Sequence, residues 1–325
     1  MICKHIFKKY NYCFYIVQTF YIIIMSHSSD MSLVIDNKLP DNNLINDKHD
    51  DVDNDEVDNK NNNSHTEGTN TTALGDYFYT EDSDTEASGD YSHAEGKNTK
   101  AKGDCSHAEG CATTASGFFS HSEGIITTAS GSSSHSEGIG TEASGKCSHA
   151  EGINTIAKGE CSHVEGIDTL ADGDYSHAEG YASTASGSFS HGEGFNTFAK
   201  GDVSHAEGIN TIAKGNVSHA EGINTLADGN GSHAGGYYTI ADYDNMTAIG
   251  KYNISDDEEL ITIRKNKLFV VGNGDEKNRM DAFIITEKGD VFIQHDLHID
   301  NDLIIKGDLY VNGVIHCKKI LEDVK

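Results

Sequence analysis

The stretch from Ser64 to Tyr243 repeats itself every fourteen residues, and this period constrains the chain more than any other feature. One unit reads Ser92-His-Ala-Glu-Gly-Lys-Asn-Thr-Lys-Ala-Lys-Gly-Asp-Cys105. Histidine returns at His65, His93, His107, His121, His135, His149, His163, His177, His191, His205, His219 and His233. The gap at 79 is filled in register by Tyr79, so thirteen units follow one another without insertion. A strict period of this length is the signature of a stacked array, in which each unit buries its surface only against its neighbours.

Each unit has two similar halves, Ser-His-Ala-Glu-Gly and, seven residues on, Thr-x-Ala-x-Gly. Small residues alternate with others at period two, the period of a β-strand. A glycine closes each half, where the chain must turn and a positive φ is often needed. No apolar stripe recurs at three and four residues, and two glycines per unit would each cost a helix about 1 kcal/mol. The fold class predicted is all-β: a parallel β-solenoid of about thirteen flat coils. Coils roughly 4.8 Å apart would form a rod on the order of 60 Å long.

Parity then assigns the faces. Ser92, Ala94, Gly96, Thr99, Ala101 and Gly103 point inward, and Ala occupies the Ala101 position in every unit. The outer face of the first strand carries the His column and a Glu column: Glu95, Glu109, Glu123, Glu137, Glu151, Glu165, Glu179. Apolar columns edge it. One, just before Ser, runs through Tyr91, Cys105, Phe119, Cys147, Cys161, Tyr175, Phe189, Val203 and Val217; the other includes Ile153, Ile167, Ile209 and Ile223. The second strand's outer face is more polar and variable. Ordering a coil costs about 1–2 kcal/mol per residue, on the order of 14–28 kcal/mol in all, and an interior of Ala, Ser and Thr buries little against it. The His/Glu face, with Ile153, Ile167, Ile209 and Ile223, is therefore expected to be an oligomer interface.

The Ser-x-Ala-x-Gly and Ala-x-Gly halves resemble the fourteen-residue repeats of trimeric autotransporter adhesin heads, the YadA-like head. The Ser-His-Ala-Glu-Gly variant is similar to repeats of phage tail proteins and of proteins of large DNA viruses. The resemblance covers about 180 of the 325 residues and implies a left-handed parallel β-roll packed as a homotrimer. Adhesin heads usually carry apolar residues at the positions of His93 and Glu95. Met246 to Asn253 resembles the exit from such heads into a neck. Phe269 to Gly274 and Gly289 to Phe292 are similar to the region after such heads in phage tail proteins, some of which continue into an autoproteolytic chaperone peptidase. Ser255 is the one visible nucleophile candidate for that chemistry; a solvated acidic loop is the alternative.

The chain divides into an apolar leader (1–30), an Asn/Asp-rich linker (31–63), the repeats (64–246) and a β-rich neck or stem (247–325). The leader, with Lys4, Lys8 and Lys9 before an apolar run, reads either as a signal or anchor or as an over-extended start before Met25 or Met31. A membrane enters only in the first case. The linker has too few large apolar residues to order itself. Beyond the repeats, Asp281 to Ile293 reads as a hairpin turning at Lys288-Gly289. Glu259–Asn266 and Leu268–Gly272 read as strands. Leu297, Leu303, Leu309 and Ile315 then recur every six residues beside Ile299, Ile305 and Val311, which predicts a short β-helical or three-stranded stem.

A formal net charge of -28 argues against nucleic-acid partners. Cys3, Cys13, Cys105, Cys111, Cys147, Cys161 and Cys317 make no metal-ligand spacing, and those in the repeats read as buried small hydrophobes. The histidines from His93 to His233, next to Glu, are candidate metal ligands; a structural ladder is the preferred reading, with no metal, no cofactor and no catalytic set. These features predict a non-enzymatic trimeric fibre or spike of a virion or tail-like appendage. The alternatives are a cell-surface or secreted adhesin meeting a host receptor through its variable face, and a tail protein linked to an autoprocessing peptidase.

Overall fold

The computed structural model describes residues 64–255 and 266–314. The leader, the linker, the Glu259–Asn266 strand except its last residue, and Cys3, Cys13, Ile315 and Cys317 lie outside the described residues. Within them the chain is all-β, and no helix is long and apolar enough to cross a membrane. Each coil has a first strand such as His135–Ile139 and a short second strand such as Glu142–Ala143. First strands stack in parallel with like residue on like, His135 on His149 and Glu137 on Glu151, and second strands do the same, Ala143 on Ala157. The result is a β-solenoid with two facing parallel sheets, one of them continuing beyond the repeats.

The interior is as parity predicts. Ala94, Ala101 and their equivalents are fully buried, as are the Ser92 and Thr99 columns. Burying hydroxyls costs free energy unless they bond; some turn back onto the coil, while others, Thr99, Ser106 and Thr113 among them, have no partner in the chain. Ser134 Oγ donates to the Gly131 carbonyl at 2.7 Å, and Ser136 pairs with Thr141 at 2.7 Å. Where Val164 replaces the usual Ala, the first strand shortens to His163–Val164.

The turns differ from the sequence expectation. The first glycine of each unit does take a positive φ, +116° at Gly124, but the second does not. Gly117 is required for closeness instead: a Cβ there would lie 1.9 Å from the Gly131 carbonyl oxygen. The left-handed residues stand two places after each glycine and are mostly not glycine themselves, such as Asn154 (φ 54°) and Cys161 (φ 53°). Their N–H groups are tied to the preceding coil, Cys161 N to Lys146 O at 2.7 Å. The column Tyr91 to Val217 therefore sits on these turns and is largely exposed. This overturns the buried-thiol reading: Cys105, Cys147 and Cys161 are exposed, because the column is a turn and not a strand face.

The C-terminal end is closed by a cap. Thr247–Lys251 adds a further first strand in repeat register, so the periodic sheet runs past residue 246. Lys267–Asn273 stacks on it in parallel, Asp281–Thr286 returns antiparallel, and Val291–Ile293 completes the expected hairpin, with Gly289 at φ +83°. Asn253 ends the second sheet by imitating the next strand: its Oδ1 accepts from Ile240 N at 2.7 Å and its Nδ2 donates to Ile240 O at 2.8 Å. Lys267 is buried, its Nζ 2.8 Å from Ile254 O and 3.2 Å from Asp281 Oδ2. The predicted stem differs from expectation in a single chain. Residues 294–314 form no strand, and Leu297, Leu303, Leu309 and Val314 are exposed.

Candidate functional site: the histidine–glutamate face

The in-register stack turns the histidine column into a ladder of imidazoles. From His93 to His233 neighbouring ring centroids are 4.5–4.9 Å apart and the planes within 13° of parallel. The chain imposes this, because parallel strands 4.8 Å apart place identical side chains over one another. Stacking half-buries each ring. Burial, followed by the neighbouring rings, holds His107, His135, His177, His191 and His219 below the ordinary histidine range; His149 is lowered by burial and by His163. A charged form would be short of water and would sit against its own kind. These six rings are thus held toward the neutral form.

The glutamates stand beside the rings. His135 Nε2 lies 3.6 Å from Glu137 Oε2, His177 Nε2 3.8 Å from Glu179 Oε2, and His191 Nε2 3.6 Å from Glu193 Oε2. At the C-terminal end the pairing steps to the preceding coil, with His233 Nε2 3.3 Å from Glu221 Oε1. Most of these separations exceed hydrogen-bonding distance. Accordingly, Nε2 of His93, His107, His121, His135, His149, His163, His177, His191, His205 and His219 is buried with no hydrogen-bond partner in the chain. In a single chain most of these His–Glu neighbours are therefore close but unbonded, while His233 and Glu221 lie in hydrogen-bonding range.

The carboxylates also crowd one another. Burial raises Glu95, with Glu109 adding to it. Glu179 is pushed up to about 7, first by hydrogen bonding to Glu165, then by burial, then by hydrogen bonding to Glu193. In four places three donor atoms lie within 4.8 Å of one another: His135, Glu137, His149; Glu165, His177, Glu179; His191, Glu193, His205; and Glu207, His219, Glu221.

The predicted interface residues fall on one surface. Glu95, Glu109, Glu137, Glu165 and Glu179 are half-buried, while Glu123 and Glu151 are exposed. Ile153 is half-buried at the end of its strand; Ile167, Ile209 and Ile223 are exposed. Aromatic side chains add short stacks at the turns, Tyr175 on Phe189 and Tyr181 on Phe195.

Two sets of residues escaped the sequence reading. In one turn column, acidic and amide side chains take the backbone N–H of the equivalent residue one coil earlier, Asp202 from Ser188 and Asn230 from Asn216. In the other, amides chain together, Asn196 to Asn210 to Asn224. Their signal was available, since Asp and Asn recur at those two positions of the unit. No family model and no curated protein sequence matches the chain.

Proposed function

We propose that the chain is a non-enzymatic structural component of a homotrimeric fibre or spike of a virion or tail-like appendage. The roll serves as the rigid shaft or head, and the residues after it join three copies in register. One observation carries this reading: the outer face of the longer sheet is half-buried only by its own neighbours and, over the coils from Ile167 to Ile223, is edged by exposed apolar side chains, Tyr175, Phe189, Val203 and Val217 along one side and Ile167, Tyr181, Phe195, Ile209 and Ile223 along the other. A face of this extent is seldom left in water. Its chemistry repeats at every coil, so a partner covering all of it needs the same repeat at the same spacing. A second copy of the chain has that property by construction. The six-residue apolar repeat of residues 294–314, exposed in one chain, supports the same partner.

The adhesin reading is favoured by a separate observation, the exposed stacked rings Tyr77–Tyr91 and Tyr175–Phe189, which offer flat apolar platforms to a receptor. It is an alternative use of that edge, since rings covered by a second copy are not open to a receptor. The test is the solution mass of the full chain in metal-free buffer, by sedimentation equilibrium or multi-angle light scattering. Three chains per particle is the expected result. A monomer at micromolar concentration refutes the interface.

A further inference from the structure

The four His/Glu clusters on this face are not equivalent. Two of them, His135-Glu137-His149 and His191-Glu193-His205, hold two imidazoles from successive coils. Those rings are stacked at 4.8 Å and within 4° of parallel. Two zinc–nitrogen bonds of about 2.1 Å span at most about 4.2 Å even when collinear. Parallel rings moreover direct their Nε2 lone pairs side by side instead of toward a common point. These pairs cannot chelate one ion without breaking the stack.

The other two clusters, Glu165-His177-Glu179 and Glu207-His219-Glu221, have one imidazole between two carboxylates of successive coils. His177 Nε2 lies 3.8 Å from Glu179 Oε2, and His219 Nε2 lies 3.8 Å from Glu207 Oε1. An ion bonded to both atoms at about 2.1 Å places them about 3.4 Å apart at the tetrahedral angle and about 4.2 Å apart when collinear. The observed spacing lies between these limits. Glutamate side chains rotate freely enough to complete the set, whereas stacked rings do not. His177 Nε2 and His219 Nε2 are buried and have no hydrogen-bond partner in the chain.

We propose that Glu165, His177 and Glu179, and equally Glu207, His219 and Glu221, are two binding sites for a divalent transition-metal ion of the zinc class. The imidazole selects such an ion over calcium or magnesium, which take oxygen ligands. Each site has one nitrogen and two carboxylates, leaving a coordination position open on the outer side of the sheet. The sites lie three coils apart in the stack and need no second copy of the chain.

The test is isothermal titration of the full, untagged chain with zinc chloride, its cysteines first blocked with N-ethylmaleimide so that thiolates do not contribute. The E179Q/E221Q double variant keeps side-chain volume and removes one carboxylate from each site. It is expected to lose two equivalents of zinc per chain, or to bind them at least tenfold more weakly. H177Q/H219Q, a second route to the same loss, is expected to behave alike. E137Q, altered in a two-imidazole cluster, is expected to bind as the unaltered chain does, and circular dichroism confirms that each variant is folded. Equal zinc uptake by the unaltered chain and both double variants overturns the proposal, as does the absence of uptake at 100 µM zinc. Stoichiometry is scored per chain, so the outcome is separate from whether the chain proves trimeric.

Discussion

Replacing Gly117 by Ala tests the stacking directly. Its φ is not in the left-handed region, so backbone conformation alone admits alanine. Reducing the freedom of the unfolded chain would then stabilise the protein by about 0.4–1 kcal/mol. The structure demands the opposite sign. The new Cβ would lie 1.9 Å from the Gly131 carbonyl oxygen and 2.5 Å from its carbon, and ordinary contact requires the two coils to part locally by more than about 1 Å. That separation breaks Ser116 N to Ala129 O (2.8 Å), Gly117 N to Ala129 O (3.2 Å) and Ser133 N to Phe118 O (2.7 Å). At about 1 kcal/mol each, the loss is roughly 3 kcal/mol, and about 2–3 kcal/mol after the unfolded-state gain. The control is Gly313→Ala, where nothing lies within 4 Å of the added Cβ; it is expected to be neutral. Urea unfolding gives the magnitude. Because a stacked array opens in parts, amide exchange should locate the loss at residues 116–133. A G117A chain as stable as the parent, with unchanged exchange there, refutes the close stacking.

Three further outcomes follow from the same geometry. Burial and neighbouring rings lower His107, His135 and His149 in the folded chain. The unfolded state therefore takes up protons first, and their contribution to stability, full above about pH 6.5, is lost as pH falls below it. Glu95 and Glu179, raised in the fold, act in the opposite sense but are fewer. The urea midpoint in metal-free buffer should fall between pH 7.5 and 5.5; a rise contradicts the lowering of these rings. Lys267→Met leaves Asp281 buried without its cation, a loss of about 3–5 kcal/mol that should appear as early melting and proteolysis of the cap; an unchanged melt would show that the pair is not buried. Replacing His and Glu by Ala together at His135, Glu137, His149, Glu151, His163 and Glu165 should shift sedimentation from trimer toward monomer, and an unaltered trimer removes this face from the interface.

Much of the fold was legible because the interior admits only small residues. With two sheets this close, the Ala101 column identifies the inside without help from hydrophobicity, and fixing the inside fixes the outward His and Glu columns. The turns were not legible, because their conformation is set by stacking and not by residue type. Cys161 is left-handed because its N–H reaches Lys146 O, and nothing in a cysteine announces that. The same cause misplaced the thiols, since an apolar column that looks like a strand face lies on a turn. The unequal clusters were hidden too. The coils that form the four clusters all carry the same His and Glu in sequence, and only the three-dimensional step of the Glu side chains decides whether one ring or two faces a carboxylate.

The turn column bears on the proposed trimer in a way that distinguishes a partner from mere exposure. Val203 and Val217 hold φ of 58° and 57°, a conformation that β-branched residues avoid and Asn or Gly accept. The chain does use the tolerant residues in this column, at Gly231 and Asn245. Yet Tyr91, Phe119, Phe189, Val203 and Val217 stand there 55–64% exposed, disfavoured both by backbone strain and by contact with water. In a lone chain, Val203→Asn with Val217→Asn should therefore raise stability, by on the order of 1 kcal/mol per site. In a trimer that covers this edge, the same pair removes apolar contact at about 25 cal/mol per Å² buried and should weaken association. Opposite signs in the two assays, denaturation of the dissociated chain and sedimentation of the assembly, are the expected result. Stabilisation without any change in association would place the column outside the interface and leave its apolar residues to another partner.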